Sequence, residues 1–185
     1  MKYLYYEPIF NYYCLFDLHN CKSQISFVKG YLLNEKGDTL KGEIKINPKK
    51  EHDNHNKVFF KDEQGIQKNY KPNKVKGYGY NNNHYASMDC DGELKFYKVI
   101  AKGEISMFKM FFEEVNMNET NYVADYFLMK EGDKKMTDVK PSKLKKQLQE
   151  MMSGAASYAS EYKGEKDIDE SSAAQVINAY NNRAK

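Results

Sequence analysis

The chain has 185 residues, of which 41% are apolar and 30% charged, with 29 basic and 26 acidic side chains and a formal charge of +3. That length suits one domain, or one domain with a small appendage, and the apolar share is enough for a core beneath a very polar surface. Arg183 is the single arginine, which weighs against a site that grips phosphate or reads guanine, since such sites favour arginine's two-pronged fork. The 16 Tyr and 10 Phe, with many Lys and Asn, need no binding role, because an AT-rich genome enriches the same residue types.

Met1-Lys2 opens a segment of scattered apolar residues from Leu4 to Phe16, ending in Cys21-Lys22-Ser23-Gln24 with small residues at the −3 and −1 positions of a cut before Gln24. Glu7, Pro8, Asn11 and Asp17 interrupt its apolar core. Residues 1–25 read as a degraded signal peptide or as an N-terminal extension. No run is long and apolar enough to span a bilayer as a helix. Cys14, Cys21 and Cys90 are odd in number and lack CxxC spacing, so they mark neither a disulfide framework nor a zinc site.

Phe27–Ile46 then reads as two strands around Asn34–Asp38, with Leu40, Ile44 and Ile46 on one face and Thr39, Lys41, Glu43 and Lys45 on the other. Asn47–Asn56 is a polar loop. Short strands follow at Lys57–Lys61, Ile66–Tyr70, Val75–Tyr80 and His84–Met88, separated by turn residues, and the glycines of Val75–Tyr80 signal a bend or close backbone approach. Asp89–Gly92 predicts a turn. Glu93–Ala101 and Glu104–Phe112 are apolar on both faces and so predict central strands holding the core, with Phe96, Ile100 and Phe108 buried. Glu113–Asn121 reads as a polar loop, followed by strands at Tyr122–Met129 and Lys134–Val139.

At Pro141 the period changes. Leu144, Leu148, Met151 and Met152 form one face of a helix over Pro141–Met152, with Pro141 in its first turn and Gly154 as its stop. Ala155–Lys166 is a soft linker. Asp167 and Glu170 resemble a capping box before a last helix striped by Ala173, Val176, Ile177 and Tyr180. Helices this short must dock, either on the sheet or on each other.

The densest set of metal-type ligands is Glu51-His52-Asp53-Asn54-His55, yet a structural zinc site wants four ligands and the next histidine, His84, is distant. The expectation is a solvated loop. Asp89–Glu93 lacks the spacing of a calcium loop. Gly77-Tyr78-Gly79 lacks the rest of a dinucleotide fingerprint. Cys90 near His84 is a poor nucleophile pair, since Asp89 and Asp91 would raise the thiol pKa. Tyr78, Tyr80 and Tyr85 with Lys74 and Lys76 could stack bases or sugars, but cross-strand packing explains them more simply.

The ordered motifs KGYLLNEKGDTLKGEIKI, VFFKDEQG, YKPNKVKGYGY, FYKVIAKGEISMF and YFLMKEGDKK, over about residues 27–182, resemble a family of uncharacterised secreted β-rich proteins of Bacteroidetes-type bacteria. Helices like KLKKQLQEMM and a tail like AAQVINAYNN extend the resemblance. It implies export to the periplasm or outer surface, sometimes beside an outer-membrane barrel, and no known catalytic residues. Residues 1–24 depart from the family's usual signal.

The expected fold is α+β: a mostly antiparallel hairpin-rich sheet or small partly open β-barrel over residues 26–140, with a helical segment, 141–184, packed on it. The expected function is a non-enzymatic cell-envelope or interaction module, with another envelope protein as partner and no nucleic acid, cofactor or metal. The alternatives are a nucleic-acid-binding small β-barrel and a metal-dependent enzyme using the His52/His55 loop.

Overall fold

The computed structural model describes residues 25–48, 50–90, 92–116 and 119–183. The segment 1–24, with its signal-peptide reading and with Cys14 and Cys21, lies outside the described residues. The strands are β1 (Ser26–Leu33), β2 (Thr39–Ile46), β3 (Val58–Asp62), β4 (Gln67–Tyr70), β5 (Gly77–Tyr80), β6 (Asn83–Cys90), β7 (Glu93–Ala101), β8 (Ile105–Asn116), β9 (Glu119–Lys130) and β10 (Thr137–Val139). Helices α1 (Leu144–Met151), α2 (Ser157–Ser160) and α3 (Glu170–Asn181) follow. The strands make one antiparallel sheet in the order β10-β9-β8-β7-β6-β5-β1-β2-β3-β4. This is the expected α+β architecture, realised as an open sheet with C-terminal helices.

Turn chemistry explains the hairpins. Asn81 and Asn82 adopt φ of 44° and 64°, the left-handed pair that a two-residue loop between twisted strands requires. At the first hairpin the Asp38 N–H donates to the Asn34 side chain at 2.8 Å. The β6–β7 turn is tighter than expected: Asp89 and Cys90 belong to β6, with Cys90 paired to Glu93. Gly77 is required by proximity, since a Cβ there would lie 2.3 Å from the Tyr85 carbonyl oxygen of the neighbouring strand. Gly77→Ala should therefore cost about 1–3 kcal/mol through forced strand displacement. An unchanged melting temperature would show that β5 and β6 have slack.

Glu113–Asn121, expected as a loop, is instead largely strand. β8 runs to Asn116 and pairs with β9 from Glu119 in unbroken register. Polar composition misled here because an arm with solvent on it carries polar residues whether or not its backbone pairs.

Register divides the sheet into two faces. The inner face carries two apolar basins. One gathers Leu32, Ile44, Val58, Phe60, Tyr78, Tyr85 and Phe96. The other gathers Ile105, Met107 and Leu128 with Leu144, Leu148, Met152, Ala173, Val176, Ile177 and Tyr180. Both helical stripes thus dock on the sheet. The linker supplies α2, whose Ala159 is fully buried. Phe96 and Phe108 are buried as expected, whereas Ile100, at an irregularity in the β7–β8 register, is only partly so.

The cap of α3 differs from the expected Asp167 box. Asp169 is the N-cap and accepts the Ser172 N–H at 3.0 Å. Glu170, freed from capping, takes Lys109 Nζ at 2.5 Å and the Tyr126 hydroxyl at 2.7 Å. Burial pushes its carboxyl up, but these hydrogen bonds and the Lys109 charge hold it below the usual carboxylate range. At the other end of α3, the Asn181 side chain accepts from Ile105 N–H and donates to Ile105 C=O, at 2.9 and 2.8 Å. Glu104 beside it accepts from the Tyr180 hydroxyl and from Arg183, each at 2.8 Å.

Candidate functional site

Strands β7 and β8 part company at one end. Their register runs from Ala101↔Met107 to Lys98↔Lys109. Beyond it β7 stays on β6 while β8 continues on β9. The gap is entered by Glu51–His55, a single 3₁₀ turn. His55 is 2% exposed. Its Nδ1 lies 2.5 Å from the Phe96 carbonyl oxygen, and the Phe111 N–H donates to Nε2 at 3.0 Å. The imidazole thus replaces one missing rung of the ladder, as the neutral tautomer protonated on Nδ1. This corrects the solvated-loop expectation. It also leaves His55 no lone pair for a metal.

Burial, foremost, holds the His55 pKa below the usual histidine value of 6.5. A group neutral in the fold and more easily protonated in the unfolded chain adds stability that is complete above the unfolded pKa and lost as pH falls below it. Urea midpoints should therefore hold above about pH 6.5 and fall as pH is lowered towards 5. A flat profile through that window would contradict the wedge.

His52, three residues earlier, points elsewhere. Its Nε2 lies 3.3 Å from Asp53 and 3.2 Å from Glu113, and its ring stacks on Tyr122 at 5.3 Å. A cleft of about 150 Å³ opens beside it, lined by Pro48, Glu51, His52, Phe111 and Tyr122. Among the described residues no group of three His, Cys, Asp or Glu side chains is arranged to hold a metal ion. The structure does not bring His84 near this turn: it bonds the Tyr31 hydroxyl at 2.6 Å. Cys90 lies six residues from His84 along β6, roughly 20 Å in an extended strand, so the two form no pair.

The tyrosines turn out to be the floor of the turn. Tyr78 and Tyr85 stack at 4.6 Å and are buried. The Tyr78 hydroxyl donates to the Asn54 carbonyl at 2.7 Å. Burial, before any neighbouring charge, raises both phenols, so they remain donors. Cross-strand packing accounts for Tyr78 and Tyr85.

We find no protein-family model, curated protein or solved structure that matches this chain.

The outer face of the sheet holds what the sequence reading missed. Tyr97, Phe108 and Phe127 are buried there, with Met88, Val99, Met110, Met129 and Met136 packed around them. Every member of this cluster comes from β6–β9 or from the chain just before β10, and none from a helix. The methionines are half-buried: they cover the aromatic rings and themselves meet solvent. Alternation in β6 to β9 carried the signal, since Ala86 and Met88, Tyr97 and Val99, and Phe108 and Met110 each fall two apart.

Proposed function

We propose that this protein is a non-enzymatic interaction module that presents the outer face of β6–β9 to a protein partner at the cell envelope. The observation that carries the reading is the apolar cluster around Phe108, which no described helix covers. Flexible, polarisable methionine side chains suit a surface that must fit a partner. A contiguous apolar area whose half-buried side chains meet solvent is a feature of interaction sites. The family resemblance supports the envelope location. No helix among the described residues is long and apolar enough to cross a membrane.

A photo-crosslinking residue placed at Met110 in producing cells should yield a defined protein adduct. The same residue at Lys145, on the exposed side of α1, should yield none. Equal or absent adducts at both positions would overturn the reading.

A further inference from the structure

The outer face is electrostatically two-sided. Register places Glu93, Glu114, Asp125 and Asp138 on it, around the methionine cluster, against one lysine, Lys95. Lys95 is paired to Glu93 at 3.1 Å. Across β5, the same face of β1–β3 carries Lys29, Lys41, Lys45 and Lys61 against one carboxylate, Glu43. Phe27 and Phe59 lie among those lysines, with Lys61 over the Phe27 ring at 4.9 Å and Lys45 over Phe59 at 5.2 Å. Between the halves sits β5, whose outward positions are Gly77 and Gly79. The sheet is therefore basic and aromatic on one half, and acidic and methionine-rich on the other.

Resting on the proposed interaction role, we infer that the partner on this face is a second copy of the chain, related by a two-fold axis. A two-fold operation lays each patch on the partner's complementary patch twice over, which is how isologous interfaces close. Here it sets the basic half of each copy on the acidic half of the other. Complementary charge also disfavours like-on-like docking and fixes the register. The acidic half has its own reason to accept cations. Burial first, then the facing Asp138, holds the Asp125 carboxyl above its usual range, and lysines arriving from the partner relieve that repulsion. Ten strands about 4.8 Å apart and about 20 Å long present roughly 1,000 Å² per copy, so a contact over most of the face reaches the roughly 1,200–2,000 Å² of total area that specific pairs bury.

Sedimentation of the full chain provides the test. The wild type should sediment as a dimer at low salt and shift toward monomer as salt rises. Lys41→Glu with Lys45→Glu makes both halves acidic and should give a monomer. Asp125→Lys with Asp138→Lys makes both halves basic and should also give a monomer. All four positions are strand residues whose charges face outward, and circular dichroism checks that each variant folds. An equimolar mixture of the two variants should recover the dimer, a result that a mere loss of folding cannot produce. A wild type that stays monomeric up to about 100 µM, well above the weak micromolar range, overturns the inference. So does a dimer indifferent to both reversals. If the wild type is monomeric but the Met110 crosslink captures a different protein, the interaction role stands and the second copy falls. If no adduct forms either, both fall.

Discussion

His55→Ala should destabilise the protein by about 3–5 kcal/mol, the largest single-residue effect expected in this chain. Removing the ring leaves the Phe96 carbonyl and the Phe111 N–H without their partner in a buried place, and each such orphan costs about 1–3 kcal/mol. The vacated volume adds a cavity term. His55→Phe separates the two contributions, because it keeps a ring of similar size and removes both hydrogen bonds. It should recover the cavity part only. Urea unfolding with tyrosine fluorescence reads both variants. A loss below about 1 kcal/mol for the alanine variant would mean that water or strand closure replaces the imidazole.

Ile177→Ala should cost about 2–5 kcal/mol, the range for emptying a large aliphatic site. Ile177 is fully buried between α3 and the sheet, in one cluster with Met107, Leu128 and Leu148. A helix of 12 residues does not hold in water alone, so its docking energy is the energy of forming it. The loss should appear in one transition, with helix and sheet signals falling together. Hydrogen exchange of the Val176–Tyr180 amides should approach the global unfolding free energy in the wild type. Separate helix and sheet transitions would make the last helix an independent arm.

The largest errors in reading the sequence fell where composition and packing diverge. Glu51–His55 is polar in every residue, and hydrophilic loops are ordinarily solvated. Nothing local reveals that β7 and β8 separate and need a donor and an acceptor between them. That demand arises from two strands some 40 and 56 residues along the chain from His55. The α3 cap slipped by two residues for a related reason. Asp167 and Asp169 are both acceptable caps locally, and Glu170 is drawn to Lys109 on β8 by a contact that sequence does not display.

Sequence alone determined the hairpins, the central place of β7 and β8, the helix stripes and the α+β order, because each rests on periodicity or turn chemistry within a few residues. Tertiary structure alone decided what the polar residues do. It put His55 in the ladder, Tyr78 and Tyr85 beneath the turn, and the lysines and carboxylates on opposite halves of one face. Backbone propensity is a property of neighbours in sequence. The partner of a buried polar group, or the sign of a surface patch, is a sum over strands that meet only in the fold.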